Sequence, residues 1–206
     1  MRRIVRAIVV ALGLMLSGGV AMAETEQPAY RVEARSGDFE VRLYAPMVVA
    51  EVSVGGTRDA AVNEGFRILA GYIFGANEPA AKIAMTAPVT QQAGERIAMT
   101  APVTQAGTAG GWIVRFTMPA SWTLQTLPRP KDNRIRIVPV PERRMAAVRF
   151  SGLRTDARLQ GEAERLEDFV RSRKLQPQGP AVYAYYDPPW TLPFLRRNEV
   201  LQEVRR

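Results

Sequence analysis

Hydrophobic and polar positions along the chain follow two periods in turn, and the order recurs. Phe39, Val41 and Leu43 alternate with Glu40 and Arg42, the two-residue period of a half-buried strand. Tyr30–Arg35 is a similar extended run, and Ser36-Gly37-Asp38 between the two reads as a turn. Ala45-Pro46 breaks the pattern, and Met47–Val54 is a further apolar strand closed by Gly55-Gly56. The period then changes. Val62, Phe66, Leu69 and Ile73 share one face of a helix that Thr57 or Asp59 can cap at its start and Gly75 at its end.

The second half repeats this order. Arg134–Val140 alternates, Pro139 and Pro141 mark a turn as Pro46 does, and Met145–Phe150 is the next strand, closed by Ser151-Gly152. Leu159, Ala163, Leu166 and Val170 line one face of a second helix. Arg158/Glu162 and Glu167/Arg171 stand four apart on its other face, which suits a solvated surface. Extended segments follow each helix: Ile113–Met118 after the first, Ala181–Tyr186 and Glu199–Val204 after the second. The pattern predicts a pseudo-duplicated α+β domain, with two long helices packed on a shared, mostly antiparallel sheet.

A sharper repeat lies between the halves. Ile83-Ala84-Met85-Thr86-Ala87-Pro88-Val89-Thr90-Gln91 recurs unchanged as Ile97–Gln105. Two copies are too few for a solenoid. With Gln92-Ala93-Gly94-Glu95 as a turn, the physical reading is a hairpin of equivalent strands. Pro88 and Pro102 each remove a ladder donor and place those strands at an edge or bulge. The competing reading is a duplication that only lengthens a surface hairpin.

The first residues have a different character. Arg2, Arg3 and Arg6 precede a short apolar run from Ile8 to Leu16, and Ala21-Met22-Ala23 reads as a cleavage site before Glu24. The expectation is a secretory signal over residues 1–23, one domain over 24–206 and export to the periplasm. The alternative, a membrane anchor, has a poor apolar span, because Arg6, Gly13, Ser17, Gly18 and Gly19 interrupt it.

Composition narrows function more than charge does. The chain of 206 residues has no Cys and no His. That excludes disulfides, thiolate nucleophiles, Ser-His-Asp triads, imidazole zinc sites and His-ligated haem. No phosphate loop, nucleophile elbow or EF-hand spacing is present, and Gly55-Gly56 and Gly110-Gly111 lack the Lys-Ser/Thr that a phosphate loop needs. The net charge is +8, almost all of it from Arg, and three of those arginines lie in the leader. The remaining arginines are scattered beside Asp and Glu, without the basic stripe of a nucleic-acid reader. A binding protein is the leading class.

The C-terminal stretch combines Tyr183-Ala184-Tyr185-Tyr186-Asp187-Pro188-Pro189-Trp190 with Arg196-Arg197-Asn198-Glu199-Val200. Aromatic surface and twin arginines would suit a flat ligand with acidic groups. They would equally make a rigid Pro turn whose aromatics pack inside while Arg196 or Arg197 pairs with a carboxylate, and on the residues alone that second reading leads.

Lys82-Ile83-Ala84-Met85-Thr86-Ala87-Pro88-Val89, then Tyr186-Asp187-Pro188-Pro189, then Arg196-Arg197-Asn198-Glu199-Val200 resemble the signature stretches of the SOUL haem-binding protein family, in the family's order and spacing. The resemblance runs from about Tyr30 to Val204. It implies two similar halves, each a long helix with four-stranded antiparallel sheet, closing into a distorted eight-stranded barrel. It also implies non-enzymatic binding of haem or another tetrapyrrole in an apolar groove beside the first helix, with haem not required for folding. Matched to Thr57–Gly75, that groove would use Asn63, Phe66, Arg67 and Ala70. The sequence departs from haem-binding members in having Asn63 and Gly71 where basic groups can meet propionates, and in having no axial His. Similar folds occur in gyrase-inhibitor-like effector domains. The alternative is therefore a binding module of that kind, for another small amphiphile or a protein partner.

Overall fold

The computed structural model describes residues 25–79 and 94–205. Strands β1 (Tyr30–Ser36), β2 (Phe39–Tyr44) and β3 (Met47–Val54) precede helix α1 (Arg58–Ile73). Strands β4 (Asn77–Glu78), β5 (Val103–Thr108), β6 (Gly111–Thr117), β7 (Arg129–Pro130), β8 (Arg136–Val140) and β9 (Arg143–Phe150) come next. Helix α2 (Asp156–Ser172), β10 (Gln176–Tyr185) and β11 (Asn198–Arg205) complete the chain. The α+β class and the two helices follow the pattern of the sequence. Thr57 and Thr155 cap the helices alike, each hydroxyl oxygen accepting from the backbone N–H three residues on. Arg158 pairs with Glu162 as the spacing predicts, whereas Arg171 turns to Asp168 rather than Glu167.

Nine strands form one antiparallel sheet in the order β1-β2-β9-β11-β10-β5-β6-β3-β8, and β4 pairs with β7 in a separate ribbon. Among the described residues these strands do not close into the expected eight-stranded barrel. Among the described residues β1 pairs only with β2, and β8 only with β3, so the sheet stays open. The strands before the two Pro turns explain the count: β2 joins β9, and β8 joins β3, each crossing to the other half of the chain.

Each helix buries one face against this sheet. Leu69, Tyr72 and Ile73 of α1 pack on Ala50 and Val52 of β3 and on Val114 and Phe116 of β6. Leu159, Leu166, Phe169 and Val170 of α2 pack on Val41, Ala146, Val148 and Val200. Alternate residues of β9, Met145 and Ala147, enter a third cluster with Tyr44, Ala184 and Leu201. Both faces of β9 are thus covered, so its central run is apolar without alternation.

The orientation of α1 differs from the expected face. Its buried set is Arg58, Ala61, Gly65, Leu69, Tyr72 and Ile73. A Cβ on Gly65 would lie 2.6 Å from Val114 Cβ, so the helix meets β6 on its smallest residues. That rolls Phe66 away from the centre of the contact, and it is 40% exposed.

The first copy of the repeated nonapeptide, and part of the turn after it, lie outside the described residues. In the second copy, Ile97–Pro102 belongs to no strand, and only Val103–Gln105 enters β5. Its side chains nonetheless serve the fold. Ile97 is buried with the α1 core, and the Thr100 hydroxyl donates to the Thr117 carbonyl.

Candidate functional site

Three of the four residues of the anticipated groove lie on the outer side of α1, and the fourth, Ala70, packs against the core cluster beneath the helix. Asn63, Phe66 and Arg67 are exposed, and Ala70 is half-buried. Phe66 is nonetheless held in place. Its ring meets buried Phe116 edge-on, with centroids 5.4 Å apart, which leaves the far side of the ring open. Phe66, Ala70 and Phe74 stand four residues apart, so they form one partly exposed apolar ridge. Arg67 flanks the ridge and pairs with Glu64. The ridge offers a hydrophobic face and one cation at its border, with no side chain that ordinarily ligates iron.

The C-terminal signature residues form a buried ionic network. Glu199 of β11 is 0% exposed. It accepts from Arg42 Nη1 and Nη2 at 2.6 and 3.0 Å, from Arg197 Nε and Nη2 at 3.1 and 2.9 Å, and from the Tyr186 hydroxyl at 2.9 Å. The Arg42 guanidinium stacks over Tyr30, and that of Arg197 over Tyr186. Burial pushes the Glu199 carboxyl up, but hydrogen bonds and charge from Arg42, then Arg197, outweigh it and hold the pKa below the ordinary carboxylate value. Burial, then the Glu199 charge, raises the Tyr186 phenol, which stays protonated as a donor. The twin arginines therefore do structural work. Arg197 neutralises a carboxylate, and Arg196 donates from Nε to the Thr191 carbonyl at 2.7 Å.

A second polar junction joins the helix N-termini. Arg58, at the start of α1, donates to Asp156 Oδ1 at 2.7 Å, to the Tyr185 hydroxyl at 3.0 Å and to the Arg154 carbonyl at 2.9 Å. Gln105, the last residue of the repeated nonapeptide, is fully buried there and donates to the Arg58 carbonyl at 2.8 Å. Tyr185 and Gln105 were visible in the sequence as motif residues. Their meeting with Arg58 was not, because it joins three distant segments.

Sequence reasoning also missed a cavity of about 630 Å³ at the end of the sheet where β2 turns into β3. Its walls are largely apolar and include Pro46, Met47, Met118, Trp122 and Pro139. The segment before β1 closes one side. The Glu26 carboxylate accepts from Ala120 N–H at 2.7 Å, and the Glu26 carbonyl accepts from Ala101 N–H at 2.9 Å. None of Asn63, Phe66, Arg67 and Ala70 lines it. Among the described residues no group of three or more Asp or Glu could hold a metal ion.

Two helices packed on one large antiparallel sheet, with an exposed apolar ridge on the first, define an α+β fold. The chain belongs to the SOUL heme-binding protein family, whose model matches residues 25–203. It is similar to "Heme-binding protein 2" of Mus musculus, 37% identical over 70 residues, which is 32% of this chain and 34% of that protein. The match thus spans about a third of that relative. Two solved structures share the fold. One is the C-terminal domain of EcmrR, with TM-score 0.53 and 11% identity, covering 86% of this chain and 98% of that one. The other is a protein described as a hydrolase from Listeria innocua, with TM-score 0.53 and 14% identity, covering 84% and 94%.

Proposed function

We propose that this chain binds haem or another tetrapyrrole without turning it over, against the ridge of Phe66, Ala70 and Phe74, with Asn63 and Arg67 at its border. Membership of the family supports the ligand class. The observation that carries the location is Phe66, a large aromatic 40% exposed yet fixed edge-on by Phe116. Such a ring can cover a macrocycle face without rearrangement. The chain offers no His and no Cys to the iron, so burial of the macrocycle supplies the affinity.

The test is a titration read at the Soret band, with saturation expected at one equivalent. Haem and metal-free protoporphyrin should bind within about tenfold, or about 1.4 kcal/mol, of each other. Phe66→Ala should weaken both by roughly tenfold and leave unfolding almost unchanged. A thousandfold preference for haem would require an Fe–protein bond and overturn the reading.

A second reading, an effector-domain-like module for another small amphiphile, draws on the apolar cavity at Trp122. Loss of binding in Trp122→Ala with Phe66→Ala unaffected would favour it. The strand order also suits internal duplication: outward from the β10–β5 pair run β11, β9, β2 on one side and β6, β3, β8 on the other. Export to the periplasm is the matching proposal for cellular location, motivated by Arg2, Arg3, Arg6 and Ala21-Met22-Ala23. Protein recovered from the producing cells should begin at or near Glu24 on N-terminal sequencing. An intact Met1 terminus in the membrane fraction would show an anchor instead.

A further inference from the structure

The connection from β10 to β11 carries four large exposed apolar side chains. Trp190 is 82% exposed and Phe194 69%, and Leu192 and Leu195 are each more than half exposed. Leu153, on the neighbouring connection from β9 to α2, is also more than half exposed. The two connections are joined, because Gly152 N–H donates to the Pro193 carbonyl at 2.9 Å. Exposure of this degree means that the side chains project outward. They do not line a concavity of the kind that holds a small ligand.

The loop that carries them has a fixed shape. Thr191 N–H donates to Pro188, Leu195 N–H to Leu192, and Arg196 N–H to Pro193. The Arg196 side chain turns inward and donates to the carbonyls of Thr191, at 2.7 Å, and Pro189, at 2.5 Å. Asp187 accepts from Arg197 N–H at 2.6 Å and fixes the loop's base. The carbonyls of Pro188, Pro189, Thr191, Leu192 and Pro193 are thus all satisfied from within. This matters for what the loop can enter. Irregular backbone is normally kept out of lipid because its polar groups lose water without replacement. Here five of the loop's carbonyls are already paired, while the outward side chains are aromatic and aliphatic.

Charge selects the kind of surface. No acidic residue occurs from Trp190 to Arg197 or from Ser151 to Arg154, whereas Arg154 and Arg196 do, beside Arg197, whose charge is taken up by Glu199. Without the three arginines of residues 1–23, a stretch that holds no acidic residue, the chain carries +5. Trp prefers the interfacial layer of a bilayer, where its ring is buried and its N–H stays wet. We propose that the Trp190–Leu195 loop, with Leu153, is a membrane-docking wedge. It seats the protein on an anionic bilayer surface, with its apolar tips below the headgroups and basic residues at their level.

The experiment uses the full chain. Trp112→Phe/Trp122→Phe leaves Trp190 as the sole tryptophan, so its emission reports this loop and no other contact with lipid. With vesicles of phosphatidylglycerol and phosphatidylcholine, the emission maximum should move to shorter wavelength, and brominated lipid should quench it. In the same single-tryptophan chain, Leu192→Ser/Phe194→Ser should lower the effect of vesicles on Trp190 quenching about tenfold with an unchanged thermal transition, since both residues are exposed. Emission unmoved by anionic vesicles would overturn the proposal. So would an equal shift on pure phosphatidylcholine. A blue shift that grows with protein concentration and without vesicles would assign the patch to a second copy of the chain and equally overturn it. Tetrapyrrole titration is independent of all these outcomes.

Discussion

Replacing Glu199 by Gln should cost about 3–5 kcal/mol of stability at neutral pH, read from denaturant unfolding. The amide keeps the volume but removes the charge that Arg42 and Arg197 share. Arg42 is itself buried, so its guanidinium would retain only Glu40, at 2.6 Å from Nε, as an anionic partner. The pH dependence checks the mechanism apart from the magnitude. Glu199 has a folded pKa below its ordinary value, held there against the effect of burial by Arg42 and then Arg197. A depressed carboxylate contributes stability that is present above the unfolded pKa, about 4.3, and lost as pH falls through the folded value. Wild type should therefore lose stability steeply below about pH 4.3, and Glu199→Gln should lose less over the same window. Parallel acid curves for the two proteins would mean that Glu199 is not the group that titrates. Glu40 is lowered as well, with Arg42 and Arg35 overcoming burial, so some acid sensitivity should persist in the variant.

Leu69→Ala should cost about 2–5 kcal/mol, while Phe66→Ala, three residues earlier on the same helix, costs well under about 2. Both are large apolar residues, and the sequence places both on the helix face expected to be buried. In the structure Leu69 has no exposure and packs among Tyr72, Ile73 and the β3 and β6 side chains. Phe66 rests on Phe116 by one edge and faces water on the other. Truncating Leu69 leaves a cavity that a sheet-bound helix cannot close. Truncating Phe66 removes surface that was partly wet already. Equal losses in the two variants would place Phe66 in the core and remove the basis for a ligand face on α1.

Local pattern carried much of the architecture. The alternation of Phe39, Val41 and Leu43 with Glu40 and Arg42 marked its strand to the residue, since successive side chains of a strand point to opposite faces. Thr57, one of the two caps the sequence offered for the first helix, does cap it, and Thr155 caps the second alike, because a capping hydroxyl acts on the N–H three residues on and needs no distant partner. The signature stretches carried the family, and the lack of His and Cys bounded the chemistry before any coordinate was known.

What the tertiary structure decided depends on partners far apart in sequence. The side of α1 that meets the sheet was set by Gly65 fitting against Val114, a contact that bulk hydrophobicity cannot foresee. The strand order came from β2 crossing to β9 and β8 to β3, pairings across the two halves of the chain that no local pattern specifies. The ionic cluster brings Arg42 to Glu199, separated by 157 residues. From sequence, Arg42 reads only as an outward-facing residue of a half-buried strand, because period-two patterning assumes that one side of the sheet is wet. Here β2, β9 and β11 bury both sides. A charged side chain on the second face then had to find an opposite charge across the sheet, and only the fold could determine which one it found.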